Sequence, residues 1–260
     1  MILVVDVGNT NTVLAVMEEH ALIHSWRIST IQRTTDEFGL TVLDLLRTKQ
    51  WGPENIAGCV ISCVVPSTLY AMEKACRRYL ECEPIVIGRG VRTGIRVRTD
   101  NPREVGSDRV VNAVAAVERW APPLVIVDFG TATTFDCVDH NGDYVGGAIA
   151  PGLQISAEAL FKRTSQLPNV EVRRPKRAIG TNTTASMQSG LFHGYVGLVD
   201  NLARECKAEL LRRSNDDRPV TCIATGGLSN LVGRACSEID DIDAQLTVRG
   251  LSLLYERNVG

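Results

Sequence analysis

Two short stretches of the chain place an aspartate and a glycine between two apolar runs. The first is ILVVDVGNTNTVLAV (residues 2–16) and the second is LVIVDFGTATTFDCV (residues 124–138). Asp6 and Asp128 end the first apolar run of each stretch, and Thr or Asn residues follow the glycine. Glycine allows a ligand to approach the backbone closely, and turn amides with Thr and Asn side chains donate hydrogen bonds. We therefore interpret both turns as phosphate-binding hairpins.

The two stretches align without a gap, nearly half a chain apart. When the two aspartates are matched, Gly130 falls on Gly8 and Thr134 falls on Thr12. Either stretch alone is compatible with an ordinary hairpin whose Asp side chain starts the turn. Two such turns in one register instead favour a duplicated domain in which both turns serve one site.

Neither turn has the lysine of a Walker A loop, and each continues into a strand rather than a helix. The charge of bound phosphates must then be balanced by a cation. Asp6 and Asp128 supply carboxylate oxygens, which are the ligands that Mg²⁺ prefers and that suit a monovalent ion. The sequence therefore predicts a cation at these two aspartates.

The composition narrows the classes of protein that the chain can belong to. Of its 260 residues, 44% are hydrophobic and 22% are charged, which is typical of a globular protein. The net charge of −2 gives no reason to expect binding to nucleic acid or to an anionic membrane. The first residues lack the basic start of a signal peptide, and no apolar run approaches the ~18 residues of a membrane span, so we expect neither. The eight cysteines form no CxxC pair, so we expect buried thiols in a reducing cytoplasm rather than a zinc site.

The elements around the two stretches follow the same order in each half of the chain. Each stretch begins a run of predicted strands and helices, which gives two α/β halves over residues 1–118 and 119–260. A further strand is predicted over residues 94–99, a long helix over 184–211 and a closing helix over 244–257.

Some polar residues at helix starts have a simple structural explanation. Ser107 and Asp108 precede the apolar-faced helix RVVNAVAAVERW, and both types cap free helix amides. Thr183 is equally compatible with the N-cap of the long helix. Gly190 and Gly194, together with Gly197, leave one face of that helix without side chains, which predicts close packing against another helix.

Several motifs resemble one family in combination. They are DNPREVGSDRVVNAVAA (residues 100–116), DFGTATTFD, GGAIAPG, IGTNTTASMQSG, TGGLSNL and GLSLLYERN. Together they are similar to type III pantothenate kinases, in the superfamily of sugar kinases, actin and heat-shock ATPases, from residue 2 to about residue 258. The resemblance implies an α/β fold of two duplicated ribonuclease-H-like (actin-like ATPase) halves, with mixed sheets flanked by helices and an ATP cleft between them.

The resemblance also implies an activity and its residues. The activity is ATP-dependent phosphorylation of the primary hydroxyl of pantothenate to 4'-phosphopantothenate, the first step of coenzyme A biosynthesis. Asp108 would receive the hydroxyl proton as the catalytic residue; because it lies at a helix N-terminus, we expect it to be a weak base whose main task is orientation. The implied ATP-binding residues are Asp6, Val7, Gly8, Asn9, Thr10, Asn11, Thr12, Val13, Gly130 and Thr131. The implied substrate-binding residues are Gly106, Ser107, Asp108, Arg109 and Thr183.

The implied cofactors are Mg²⁺ with ATP and a monovalent cation. Asp128 would hold K⁺ or NH₄⁺, and Asp6 would bind Mg²⁺ directly or through water. The resemblance further implies a homodimer, with no nucleic acid or membrane partner, and a cytoplasmic location. We expect the glycine-lined face of the 184–211 helix to form part of the dimer.

The chain departs from the family pattern at two positions. Ser107 stands where the family usually has Ala, and Thr99 stands where an aromatic residue commonly lines the substrate pocket. Two other functions remain open from the sequence: a phosphohydrolase of the same superfamily, or a non-catalytic accessory regulator of gene expression.

Overall fold

The computed structural model of the chain describes residues 1–88, 90–214 and 218–259. The described residues cluster into two compact units, and each unit has its own sheet. The first unit comprises Met1–Gly94, Arg103–Ala115 and Thr247–Gly260, and the second comprises Ile95–Pro102 and Ala116–Leu246.

In the described residues, the first unit is built on a mixed sheet of five strands. These are β1 (Ile2–Val7), β2 (Asn11–Glu18), β3 (Ala21–Ser29), β4 (Gly58–Cys63) and β5 (Pro84–Val86). Their order is β3-β2-β1-β4-β5, with β1, β4 and β5 parallel and β2 antiparallel to both of its neighbours. The helices that follow these strands in the chain are α1 (Thr35–Arg47), α2 (Pro66–Tyr79) and α3 (Ser107–Arg119).

The first core forms between one face of this sheet and the helices α1 and α2. Alternate residues of β1 and β4, such as Val5 and Ile61, pack there with Phe38 of α1 and Met72 of α2. Because strand side chains alternate between the two faces, the remaining residues of β1 and β4 face the other side of the sheet. Near their carboxyl ends, the otherwise apolar strands β1 and β4 each carry one polar residue on that other face, Asp6 and Ser62.

In the described residues, the second unit also has a mixed sheet of five strands. These are β6 (Leu124–Phe129), β7 (Ala132–Val138), β8 (Tyr144–Pro151), β9 (Thr221–Gly226) and β10 (Asp241–Ile242), in the order β10-β9-β6-β7-β8. The helices that follow these strands in the second unit are α4 (Leu153–Arg163), α5 (Thr183–Arg212) and the short α6 (Ser229–Val232). The closing helix α7 (Leu246–Val259) belongs from Thr247 on to the first unit. The predicted long helix and closing helix are therefore confirmed.

The two sheets have the same topology, which confirms the predicted duplication. Strands β1 to β5 correspond in order to β6 to β10, and in both sheets the first strand lies between an antiparallel and a parallel neighbour. The register of the second hairpin differs from the gap-free alignment. Val7 pairs with Thr12, whereas the equivalent Phe129 pairs with Thr133. Thr133, and not Thr134, therefore occupies the position of Thr12, because the second turn is one residue shorter.

The strand predicted over residues 94–99 is wrong. The structure shows only an isolated bridge between Val97 and Tyr144, closed by the Arg98 N–H donating to the Tyr144 carbonyl at 2.7 Å. In the described residues this pairing does not extend along β8.

The glycine-lined face of α5 meets no other part of the described chain. A Cβ added at Gly190, Gly194 or Gly197 would have no atom of the described chain within 4 Å. Among the residues that the structure describes, this face of α5 is therefore open. Among the described helices, none combines the length and apolarity needed to cross a membrane.

Candidate active site

The first turn leaves its small polar residues exposed. The Gly8 N–H donates to the carbonyl of Asn11 at 3.0 Å, and a Cβ at Gly8 would lie 3.1 Å from that oxygen. Asn9, Thr10 and Asn11 are exposed at the tip. The turn therefore presents amide and side-chain donors outward, as a phosphate-binding turn requires.

Two of the predicted ATP-binding residues point away from the surface of this turn. Val7 is fully buried in the first core, and the buried Thr12 hydroxyl is hydrogen-bonded to Thr30 Oγ1 at 2.9 Å. Their side chains fix the hairpin to the sheet. Any contact that Val7 or Thr12 makes with a ligand must come from the backbone.

The end of β1 is joined to the start of α3 through a residue that the sequence analysis did not identify. Ser62 ends the apolar run of β4 and pairs in parallel register with Asp6. Its neighbour Ile61 faces the first core, so Ser62 and Asp6 face the other side of the sheet. Ser62 is fully buried, and its hydroxyl is hydrogen-bonded to Ser107 Oγ at 3.0 Å. The sequence feature that could have indicated Ser62 is a hydroxyl residue near the end of an apolar strand that pairs in parallel with β1.

Asp108 lies in the first turn of α3. The carbonyl of Gly106 accepts the hydrogen bond from Val110 N–H at 3.3 Å, and Asp108 Oδ1 accepts one from Arg109 N–H at 2.9 Å. A Cβ at Gly106 would lie only 2.5 Å from Asp108 Oδ1, so the carboxylate folds back over a residue without a side chain. Asp108 thus satisfies a helix amide, as the capping interpretation predicts.

Burial raises the pKa of the Asp108 carboxyl above its ordinary value. The hydrogen bond from Arg109 N–H and the charge of the Arg109 guanidinium act in the opposite direction, but burial is the larger effect. The expectation that Asp108 is a weak base because it lies at a helix N-terminus is therefore wrong. Desolvation outweighs the favourable helix environment, and the carboxylate accepts a proton more readily than an exposed aspartate does.

The start of α4 packs against the backbone of the second turn. Gly130 is exposed and Thr131 is partly exposed, and Gly152 packs directly beneath them. A Cβ at Gly152 would lie 2.1 Å from the carbonyl oxygen of Thr131 and 2.9 Å from that of Gly130. Thr133 is hydrogen-bonded to the hydroxyl of Tyr195 on α5. The backbone of this turn is therefore fixed by close contacts on its inner side.

Asp128 occupies the position in the second unit that Asp6 occupies in the first. It pairs in parallel register with Thr225 of β9, and its Oδ1 lies so close to Gly226 that a Cβ there would be 2.4 Å away. Gly226 has a φ of +88°, which also favours glycine. No group of three or more His, Cys, Asp or Glu residues in the described ranges could hold a metal ion. A cation at Asp128 or Asp6 would therefore share its ligands with a bound phosphate, with hydroxyl or carbonyl oxygens, or with water.

Thr183 is placed differently from the capping interpretation. It is the first residue of α5 and is exposed, whereas the N-cap is Asn182, whose Oδ1 accepts a hydrogen bond from Ala185 N–H at 2.9 Å. The capping interpretation of Thr183 is wrong, because the extended backbone that an N-cap requires belongs to Asn182. Among the described residues, no hydrogen bond joins Thr183 to the second turn.

The predicted site residues thus fall into separate groups. In the first unit the structure brings together Asp6, Ser107 and Asp108 through Ser62. In the second unit it places Gly130 and Thr131 in the turn that follows Asp128, at the end of β6.

Paired sheets of one topology, each with an Asp-x-Gly turn after its first strand, define the duplicated ribonuclease-H-like fold of sugar kinases and related ATPases. Two solved structures show the same fold. A putative 2-dehydro-3-deoxygalactonokinase from Sinorhizobium meliloti is 13% identical with a TM-score of 0.60, and covers 98% of both chains. A conserved putative Baf family transcriptional activator from Campylobacter jejuni is 17% identical with a TM-score of 0.60, and covers 99% of both chains.

The chain belongs to the type III pantothenate kinase family, whose model matches residues 2–205. A type III pantothenate kinase from Halalkalibacterium halodurans is 48% identical over 260 residues, and the match covers both chains completely. Another from Syntrophotalea carbinolica is 49% identical over 261 residues, again across both chains. The resemblance inferred from the sequence motifs is confirmed.

The burial of Asp108 leads to a prediction about stability. Because its pKa is raised on folding, the ionised carboxylate disfavours the folded state above that pKa, and this effect disappears below the ordinary aspartate pKa of about 4. Asp108→Asn keeps the acceptor for Arg109 N–H and removes the charge. We expect a higher Tm than wild type at pH 8 and a smaller difference as the pH falls towards 4, measured by differential scanning fluorimetry.

The control for this prediction is Asp44→Asn, which changes an exposed aspartate on α1. It should change Tm little over the same pH range. An Asp108→Asn variant that is less stable than wild type at pH 8 would show that attraction to Arg109 outweighs burial, contrary to the prediction.

Proposed function

We propose that the chain transfers the γ-phosphoryl group of ATP to the primary hydroxyl of pantothenate and so forms 4'-phosphopantothenate for coenzyme A biosynthesis. The observation that carries this proposal is the partly buried Asp108, with its raised pKa, in a chain that matches type III pantothenate kinases over its full length. Such a carboxylate can orient an alcohol hydroxyl and receive its proton as the new O–P bond forms.

Asp108 is the proposed catalytic residue. In a loose phosphoryl-transfer transition state the attacking hydroxyl needs little deprotonation, so the first task of Asp108 is to orient that hydroxyl towards the phosphorus. Its second task is to take the proton as the new O–P bond forms. The hydrogen bond between Ser62 and Ser107 supports both tasks, because it fixes the residue before Asp108 to the end of β4.

Arg109 is the proposed partner of the carboxylate of pantothenate. A guanidinium binds a carboxylate through two parallel hydrogen bonds, which fixes the orientation of the substrate as well as its charge. Gly106 and Ser107 are proposed to contact the substrate from the start of α3, and Thr183 from the start of α5. The hydroxyl of Thr183 is available for this contact because Asn182 caps the helix.

The two turns are the proposed phosphate-binding elements. The exposed residues Asn9, Thr10 and Asn11 of the first turn donate hydrogen bonds, and Gly130 and Thr131 do so in the second. Mg²⁺ bound with ATP neutralises phosphate charge, and Asp6 is its proposed protein ligand, directly or through water.

Asp128 is proposed to hold a monovalent cation, K⁺ or NH₄⁺. The carboxylate lies at the end of β6 beside a turn without lysine, and the family resemblance implies this ion. An ion of single charge balances one carboxylate and leaves its remaining ligand positions to neutral oxygens.

A homodimer in the cytoplasm is also proposed. The open face of α5 at Gly190, Gly194 and Gly197 supports this assembly, because small residues allow the close approach of a second helix. All eight cysteines of the chain are free thiols, which fits a reducing compartment.

The role of Asp108 predicts a specific kinetic change. Asp108→Asn should lower kcat by roughly 10²–10⁴-fold, the usual contribution of a positioned acid or base. The KM for ATP should change little, because the phosphates are bound by the turns. Arg109→Ala should instead raise the KM for pantothenate, because uniform binding to the carboxylate is lost. A coupled assay for ADP formation measures all three constants.

The matched comparison separates catalysis from helix capping. Asn caps a helix about as well as Asp. An Asp108→Asn variant that folds normally and turns over near the wild-type rate would remove Asp108 from the mechanism.

The dimer proposal has a direct test in the α5 glycines. Light scattering of the wild-type chain at micromolar concentration should give about twice the mass of one chain. Gly194→Leu adds a side chain where the single chain has open space, so it should leave the fold intact and weaken the dimer. A fully active wild-type monomer would contradict the proposal.

A further inference from the structure

A buried hydroxyl lies beside Asp128. Thr225 is in β9, which runs parallel to β6, and the register pairs Thr225 with Asp128. The neighbouring residues Val127 and Ala224 both face the second core. Because strand side chains alternate, Asp128 and Thr225 share the opposite face of the sheet.

The hydroxyl of Thr225 is buried and unsatisfied within the described part of the chain. Thr225 is only 1% exposed, and its Oγ1 has no hydrogen-bond partner among the described residues. Burying a hydroxyl without a partner disfavours folding, and valine would fill the same space without that penalty. A bound ligand or an ordered water would remove that penalty.

The duplicated position in the first unit supports this interpretation. Ser62 stands in the same register to Asp6 as Thr225 does to Asp128. Both hydroxyls are buried, but the Ser62 hydroxyl is satisfied by Ser107. The fold thus places a hydroxyl beside the hairpin aspartate twice, and only the one beside Asp128 is left for an atom from outside the chain.

The Asp128 carboxylate lies against the end of β9, which carries Thr225. The carboxylate lies over Gly226, where a Cβ would be 2.4 Å from Oδ1. The carbonyl of Gly226 accepts a hydrogen bond from Ser229 Oγ at 2.7 Å, which holds this part of the chain after β9 in position. A carboxylate and an unused hydroxyl on adjacent strands are a donor set for a hard cation, which binds oxygen.

We propose that Thr225 Oγ1 is a ligand of the monovalent cation held at Asp128. This inference rests on the proposed function, which places the cation at Asp128. A neutral hydroxyl suits an ion of single charge, because its lone pairs replace water of hydration without adding a second negative charge. Its hydrogen then points away from the ion.

The test measures cation binding separately from turnover. The Tm of the protein with Mg²⁺ and a non-hydrolysable ATP analogue is followed as KCl replaces choline chloride at constant ionic strength. For wild type we expect Tm to rise with K⁺. Thr225→Val keeps the shape of the side chain and removes the oxygen, so it should need on the order of tenfold more K⁺ for half of the Tm increase.

Two matched variants complete the design. Thr225→Ser retains the hydroxyl and should restore K⁺ sensitivity close to wild type, whereas Asp128→Asn should abolish the response. Without ligands, Thr225→Val should have a Tm equal to or above that of wild type, because it loses an unpartnered hydroxyl. If Thr225→Val does not fold, Thr225→Ala is measured against Thr225→Ser in the same way.

The other outcomes separate the role of Thr225 as a ligand from the presence of a cation at Asp128. Equal K⁺ sensitivity in wild type and Thr225→Val, with the response lost in Asp128→Asn, would overturn the role of Thr225 and keep the cation at Asp128. A wild-type Tm that does not depend on K⁺ would overturn both. Weaker binding of the ATP analogue to Thr225→Val at every K⁺ concentration, with unchanged K⁺ sensitivity, would show that the hydroxyl contacts phosphate and would overturn the cation role.

Discussion

The parallel pairing of β1 with β4, and of β6 with β9, is the constraint on which the proposed site depends. Parallel strands bring their carboxyl ends to one edge of a sheet, and in-register side chains share a face. Each pairing therefore places a hydroxyl beside the hairpin aspartate: Ser62 beside Asp6 and Thr225 beside Asp128. Since the opposite face carries the core of each unit, packing that stabilises the sheets also fixes these oxygen atoms.

The two units contain the same pairing of a buried hydroxyl with the hairpin aspartate, but the hydroxyl has a different environment in each. In the first unit the hydroxyl is joined to α3 through Ser107, the residue before the proposed catalytic residue Asp108. In the second unit the hydroxyl of Thr225 has no hydrogen-bond partner among the described residues. The partial burial of Asp108 sets stability against its proposed function, because the desolvation that raises the pKa of its carboxyl also disfavours its charged form in the folded protein.

Much of this arrangement could be predicted from the sequence, because apolar runs, Asp-x-Gly turns and their repetition are local patterns. The strand register after Gly130 could not be predicted from the sequence. The second turn is one residue shorter than the first, but the two stretches align without a gap because similar residues still match. Ser62 and Thr225 were missed because their importance comes from pairing with distant strands. The basicity of Asp108 was misjudged for the same reason: helix position is local, whereas burial depends on the packed unit.

The most direct test of the account is a coupled assay for ADP release by the purified protein with Mg²⁺, K⁺ and ATP, in the presence and absence of pantothenate. The account predicts that ADP forms only with pantothenate, one molecule for each phosphorylated product, because Asp108 addresses an alcohol and no residue is assigned to activate water. ADP formation at the same rate without pantothenate would contradict the kinase assignment and indicate a phosphohydrolase.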